Sequence, residues 1–376
     1  MARIRLGMVG GGNDAFIGAV HRIAARIDDK YELVAGALSS TAEKSQASGE
    51  ALGLERVYDD FQQMAEAEAA RDDGIEAVSI VTPNHVHCAA AVAFLEKGIH
   101  VICDKPLTST LDDAHTLVAA AEASDALFVL THNYTGYPMV RQAREMVANG
   151  DIGAIRVVQV EYPQDWLSVE QDFKQALWRT DPNQSGAGGS TGDIGTHAFN
   201  LACFITGLEV ESLAADIQAF VPGRRVDDNA NVLLRFNGGA RGMLWSSQVA
   251  PGNENALRIR IYGETGGLEW AQEDPNYLHY TPFGEPKRLI TRNGAGAGDA
   301  AARVSRVPPG HPEGYLEGFA NLYTEAAVAI EAARSGGAPG AEVTYPSVQD
   351  GLKGVQFVSA CVESSSQNAA WVSLNR

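Results

Sequence analysis

From Ile4 to about Tyr134, short apolar runs alternate with longer stretches in which apolar residues recur at helical spacing. The runs "IRLGMVG", "YELVAGALSS", "IEAVSIVTP", "IHVICDKP" and "LFVLTHNY" are apolar at successive positions, as strands covered on both faces are. Between them, "AVHRIAARI", "AAAVAFLEKG" and "LDDAHTLVAAAEASD" carry the helical period, and the second ends on Lys97 and Gly98, a cation and a glycine where a helix stops. That alternation predicts βαβ units and a parallel sheet. After Asn149-Gly150 the chain turns to long strand-like runs joined by turns: "AIRVVQVEYP", "SLAADIQAFV", "NVLLRF", "ARGMLWSSQV" and "LRIRIYGETGGLEW". They predict a mostly antiparallel sheet with one inserted helix near Asp193 to Ile205. By its glycine and alanine content, "NGAGAGDAAARV", Asn293 to Val304, reads as a mobile surface loop.

A chain of 376 residues is long enough for two cores. Its 29 basic and 47 acidic side chains leave a net charge of -18, which opposes phosphate neutralisation and offers no basic footprint to an anionic membrane. Neither nucleic acid nor a membrane is therefore an expected partner. Cys88, Cys103, Cys203 and Cys361 lack CxxC spacing and read as reduced small hydrophobes, which favours the cytoplasm. The opening "MARIRLGMVGGG" runs from arginines into glycine without the apolar core of a leader, and no run approaches the ~18 apolar residues of a membrane span.

Gly10, Gly11, Gly12 and Gly18 fall between the first strand and the first helix. There a nucleotide-binding βαβ unit lets its backbone approach a pyrophosphate lying against the helix N-terminus. Two registers fit: Gly10, Gly12 and Ala15 as GxGxxA, or Gly10, Gly12 and Gly18 with the loop lengthened by "NDA". At the end of the second strand an acidic residue would bond the adenosine ribose and repel a 2′-phosphate; here stand Ser39 and Ser40, with Lys44 a few residues on, which leaves NAD and NADP both open. "CDKPL" places Lys105 at the carboxyl end of the fourth strand, where open α/β sheets bind ligands. In "GGSTGDIGTHAFN", Asp193 and His197 are spaced i and i+4, on one face of a helix entered through a glycine-rich loop. An imidazole titrating near neutrality can accept a proton, and a carboxylate beside it can bond a substrate hydroxyl or orient a relay. The same spacing suits metal ligands with His85 and His87 as companions, but those fall in the other expected domain and no third helix ligand is present, so no metal is expected.

Together these stretches resemble the family of glucose-fructose oxidoreductase, inositol dehydrogenases and rhizopine catabolism proteins (Gfo/Idh/MocA) over nearly the whole chain. The resemblance is carried by the glycine turn with His21, "TPNHVH" at Thr82 to His87, "DKPL" at Asp104 to Leu107, the pair Trp178 and Arg179, and "GDIGTH" at Gly192 to His197. The chain departs from the family in having Asp104 where Glu is commoner, and in its longer glycine loop. The likeness implies an α/β protein with a Rossmann dinucleotide-binding domain over 1–134. A substrate-binding and oligomerisation domain with a large open, mostly antiparallel sheet would follow over 135–345, and a helix and tail over 346–376 would return to the first domain. Lys105, Asp193 and His197 are implied as the catalytic group. NAD, with NADP admitted, would be held by Gly10, Gly12, Ala15, Phe16, Ile17, Ser39, Ser40, Lys44, Thr82, Pro83, Asn84, His87, Asp104, Lys105, Trp178 and Arg179. Substrate would meet Lys105, Asn133, Tyr134, Tyr137, Asp165, Trp166, Arg179, Asp193, His197 and His311. A homodimer or homotetramer is implied as well.

The resemblance implies reversible oxidation of a secondary alcohol on a cyclic polyol or sugar, a scyllo- or myo-inositol ahead of an aldohexose. Hydride goes to the nicotinamide, His197 accepts the hydroxyl proton, Lys105 holds the oxygen and Asp193 fixes a neighbouring hydroxyl. Two rivals stand beside it. One is a relative that retains NAD for a transient oxidation during glycoside cleavage or epimerisation; the other is a nucleotide-binding sensor without catalysis, against which the joint presence of Lys105, Asp193 and His197 counts.

Overall fold

The computed structural model describes residues 2–13 and 15–374, so Asp14 of the lengthened glycine loop lies outside the described residues. The chain divides into two compact units, Met1–Asn133 with Tyr315–Leu352, and Tyr134–Gly314 with Lys353–Arg376.

In the first unit, β1 (Ile4–Gly10), β2 (Tyr31–Ala37), β3 (Arg56–Val57), β4 (Ala77–Val81), β5 (His100–Cys103) and β6 (Phe128–Leu130) form one sheet in the order β3-β2-β1-β4-β5-β6, every neighbour parallel. The order reverses at β1 and β4, the switch point beyond whose carboxyl ends such sheets bind nucleotides. The crossovers carry α1 (Phe16–Ile27), α2 (Ala42–Leu52), α3 (Phe61–Ala69), α4 (His87–Leu95) and α5 (Leu111–Glu122). Thr110 starts α5 by accepting from the Asp113 amide at 3.1 Å, and Asp112 and Asp113 set negative charge against the helix's positive end. The predicted Rossmann alternation is thus the observed one.

The second unit opens with α6 (Pro138–Ala148) and β7 (Ile155–Pro163), followed by the short helices α7 (Lys174–Arg179) and α8 (Pro182–Ser185). A π-helical turn, Thr191–Gly195, leads directly into α9 (Thr196–Thr206). Then come β8 (Val210–Gln218), β9 (Asn229–Phe236), β10 (Arg241–Ser247), β11 (Arg258–Gly263), β12 (Gly266–Ala271), β13 (Tyr277–Pro282), β14 (Arg288–Thr291) and α10 (Asp299–Ala302). Along the chain two long helices follow, α11 (Tyr315–Arg334), which belongs to the first unit, and α12 (Val348–Ser366), with β15 (Val372–Ser373) last. The second sheet runs β14-β13-β12-β11-β7-β10-β9-β8-β15 and is antiparallel except where β10 lies parallel to β7. One face is covered by α6, α9 and the second half of α12, with Tyr137, Val140, Phe199, Leu201 and Phe357 in a core shared with Val160, Val232, Leu244 and Ile259 of the strands.

Three sequence expectations change. The run "LRIRIYGETGGLEW" is two strands, β11 and β12, joined through Glu264-Thr265, because a hairpin lets both halves pair within the sheet. Residues 293–304 are not a free loop: Ala301 is fully buried and Val304 nearly so, since small side chains let α10 pack closely on α6. Finally, the segment that rejoins the first unit is 315–352 and not 346–376. α11 buries Phe319, Ala320, Tyr323, Ala326 and Ile330 with Leu6, Val20 and Ala24, whereas β15 pairs with β8 and Ser364 Oγ accepts from the Ala215 amide at 2.8 Å. Both segments are amphipathic, and apolar spacing does not say which core a helix joins. No helix among the described residues is long and apolar enough to cross a membrane.

Candidate active site

The glycine turn after β1 settles its own register. Gly10 and Gly11 take φ of +77° and +71°, a region costly for other residues. A Cβ on Gly18 would stand 2.4 Å from Gly11 Cα, so Gly18, not Ala15, is the glycine that seats α1 against the turn. Ala15 is the extended residue before the helix, and its N–H donates to the Gly12 carbonyl at 3.0 Å. Phe16 points out, 68% exposed, while Ile17 packs partly into the core. A Cβ at Gly12 would meet Ser48 Oγ at 2.7 Å, and the Gly12 amide donates to Leu38 O at 3.1 Å, which ties the turn to the end of β2. There Ser39 is half-buried and Ser40 and Lys44 are exposed, with no acidic side chain between Leu38 and Ala42.

The other expected cofactor residues of the first unit follow the carboxyl ends of β4 and β5. Thr82 Oγ1 is buried there without a partner among the described residues, hydrogen-bonding capacity that a dinucleotide at this edge would use, and after β6 the Nδ2 of Asn133, a residue expected to meet substrate, is buried in the same way. Pro83 and Asn84 continue the turn, Asn84 buried. His87 plays a different part: its Nδ1 and Nε2 lie 2.8 and 3.0 Å from the carbonyl oxygens of Pro106 and Thr82, so the buried ring ties the two loops together. Asp104 likewise works inward. Its Oδ1 accepts from the Lys105 amide at 2.9 Å and from Thr131 Oγ1 at 3.2 Å, and lies 3.8 Å from His21 Nε2. Burial alone would raise its pKa, but His21 and the charge of Lys105 hold it down to about 2, so it is a carboxylate beneath the half-buried Lys105. His21 is itself fixed by Tyr323 Oη at 2.9 Å, with Ser79 Oγ bonded to the same phenol at 2.8 Å. Burial and the neighbouring Lys105 push His132 down to about 3, which keeps that ring neutral.

In the second unit the π-turn and the first turn of α9 carry Asp193 and His197. Their i, i+4 relation therefore spans a wider turn than an ordinary helix face: the Thr196 amide reaches back five residues to Thr191 O. Arg179 Nε and Gln248 Nε2 both donate to Asp193 Oδ2, at 3.2 and 2.9 Å. Arg179 also stacks on Trp178, its guanidinium carbon 4.2 Å from the ring centroid, and Trp178 Nε1 donates to Gln175. Tyr134 stands edge-on to His197 with centroids 4.8 Å apart and stacks on Tyr137 at 5.8 Å. A chain of polar groups runs on from it: Tyr134 Oη to Tyr162 Oη at 2.5 Å, Tyr162 Oη and Gln164 Nε2 each to Asn255 Oδ1 at 2.7 Å, and Asn255 Nδ2 to Gln272 at 2.9 Å. Burial keeps the Tyr134 phenol protonated well past neutrality. Trp166 joins through Gln164 Oε1 at 2.9 Å, and Asp165 accepts from the Gly252 amide at 3.0 Å. His311 stays outside this chain of contacts: it is exposed, and its carbonyl accepts from Arg292.

Gln164, Gln248, Tyr162 and Asn255 were missed as site residues. β7 and β10 are the parallel pair, so Gln164 and Gln248 leave the same edge of the sheet, with the Gln164 amide donating to Ser247 O at 2.7 Å. The signal was present in "YPQDW" and "SSQVA", two strand ends that each carry a glutamine.

Residues 4–132 match the family model described as "Oxidoreductase family, NAD-binding Rossmann fold", and residues 140–269 match "GFO/IDH/MocA C-terminal domain". The uncharacterized oxidoreductase YfiI of Bacillus subtilis is 36% identical over 98% of this chain and 96% of its own. An oxidoreductase of Sinorhizobium meliloti has a crystal structure that superposes with a TM-score of 0.92, 66% identity and coverage of 99% and 100% of the two chains. An inositol dehydrogenase homolog of Azotobacter vinelandii, solved with NADH and myo-inositol, superposes with a TM-score of 0.92, 36% identity and coverage of 99% and 97%. With this kinship the chain is an NAD-dependent oxidoreductase with inositol dehydrogenases among its relatives.

Proposed function

Because the chain belongs to the GFO/IDH/MocA oxidoreductase family, we propose that it oxidises a secondary hydroxyl of a cyclic polyol, an inositol in the first place and an aldohexose in the second. The observation that supports this most is the polar chain beside His197. Tyr134, Tyr162, Asn255, Gln164 and the doubly held Asp193 offer closely spaced donors and acceptors, which suits a ring carrying a hydroxyl on every carbon. NAD supplies the hydride acceptor. His197 takes the proton of the reacting hydroxyl, and the ammonium of Lys105 steadies the oxygen as negative charge develops on it. Asp193, with two donors on Oδ2, bonds a neighbouring hydroxyl rather than acting as the base. The test is a panel of inositols and aldohexoses assayed with NAD at the absorbance of the reduced nicotinamide. Net NADH from a free inositol is expected; a panel giving none would leave the retained-NAD rival.

The same kinship implies self-association. Leu233, Met243 and Tyr262, half-exposed on β9, β10 and β11 of the second sheet, would be covered in such an assembly. A monomer in sedimentation equilibrium at micromolar concentration would refute this.

A further inference from the structure

The loop leading into the π-turn is built around a carboxylate that the reaction itself does not use. Asp227, two residues before β9, is 7% exposed. Its Oδ1 accepts from the Gly189 amide at 2.7 Å, and its Oδ2 accepts from the Thr191 amide at 2.8 Å and from Thr191 Oγ1 at 2.7 Å. Its own carbonyl accepts from the Ser190 amide at 2.9 Å, so three successive residues of the loop all donate to Asp227. The approach is so close that a Cβ on Gly189 would stand 2.0 Å from Asp227 O. One residue on, the Asp228 carbonyl accepts from the Gln248 amide at 2.8 Å, which sets the residue whose side chain bonds Asp193.

A π-turn is a strained way to enter a helix, and such turns persist where surrounding structure holds them. Left alone, residues 191–195 would relax towards α spacing and carry Asp193 around the axis relative to His197. The donors on Asp227 oppose that. We propose that Asp227 is a positioning residue: by collecting the Gly189 and Thr191 donors it fixes the start of the π-turn and thereby the placement of Asp193 against His197. This deepens the dehydrogenase reading and rests on it for its kinetic consequence, though not for the clamp itself. Burial outweighs the other influences and raises the Asp227 pKa above the ordinary carboxylate value, while the Thr191 and Gly189 donors work against that rise.

The test uses the full-length enzyme with Asp227→Asn, which keeps the size of the side chain but turns one acceptor into a donor facing other donors. Amide exchange at Gly189 and Thr191 should quicken at least ~10-fold, and kcat should fall at least ~10-fold while the NAD Kd stays within about twofold. In an Asp193→Ala background the same change should lower kcat by less than about twofold, because the group being positioned is gone. An equal kcat loss in both backgrounds would make Asp227 a support of the fold only and overturn the proposal, as would unchanged exchange or unchanged kcat. Should Asp227→Asn fail to fold, Thr191→Ala removes one of the three side-chain bonds and should move the same quantities in the same directions by roughly threefold. If no polyol is oxidised by the wild type, the dehydrogenase reading fails while the exchange measurement still decides whether Asp227 holds the turn.

Discussion

In the first unit Gly18 lies so near Gly11 that a Cβ would stand 2.4 Å from its Cα; in the second, Gly189 lies so near Asp227 that a Cβ would stand 2.0 Å from its carbonyl oxygen. Both are glycine-rich entrances to a helix, and both need glycine because another backbone occupies the space. What they present differs. The turn after β1 brings backbone to the edge of a parallel sheet where a pyrophosphate would lie, whereas the loop before α9 brings in a buried carboxylate and so presents side chains, Asp193 and His197. The comparison teaches that a glycine cluster marks a close approach and leaves open what approaches.

If the first entrance serves binding and the second chemistry, changes in them should separate into effects on NAD affinity and effects on turnover. The largest effect is expected for His197→Ala, a loss in kcat of ~10² to 10⁴-fold for a general base. It should be partly recovered at high pH, where hydroxide takes the proton, with the NAD Kd unchanged by fluorescence titration. Lys105→Met sharpens the comparison, because Lys105 belongs to the cofactor-binding unit yet is assigned to the chemistry. It should lower kcat ~10² to 10³-fold and leave NAD binding nearly intact; near-normal turnover would return it to a lysine whose stem packs at a strand end. Gly18→Ala should do the reverse. Overpacking of about 1–3 kcal/mol at the turn should weaken NAD binding ~10 to 10²-fold with little change in kcat at saturating NAD, measured beside a thermal melt that shows the variant folded. The smallest effect is Ser39→Asp, which should lower any use of NADP at least ~10-fold relative to NAD by repelling the 2′-phosphate. An unchanged cofactor ratio would place the ribose away from Ser39.

Much of the first unit was legible because its cues are local. Runs such as "AVSIV" are apolar on both faces but for Ser79 because β4 is buried throughout, and the glycine turn, Thr82 to Asn84 and Lys105 all follow strand ends that the same runs mark. The register of the glycine loop was not legible, since two spacings fit and only the contact between Gly18 and Gly11 separates them. In the second unit Asp193 and His197 could be found by spacing, but the groups that hold them could not. Gln248, Arg179 and Asp227 lie 55, 14 and 34 residues from Asp193 along the chain, and a strand order that pairs β7 with β10 and β11 is needed to bring such residues together. The return of α11 to the first sheet escaped for a related reason. Its Tyr323 finds His21 and Ser79, partners 302 and 244 residues earlier that no spacing rule connects.

The most direct measurement is the transfer of deuterium from an inositol labelled at its carbinol carbons to NAD, followed by mass spectrometry of the cofactor and the ring product. A secondary-alcohol dehydrogenase should yield one deuterium in NADH for each keto-inositol formed, with net accumulation of both. Recovery of the label in a rearranged or cleaved product without accumulating NADH, or NADH formed without label, would contradict the proposed reaction.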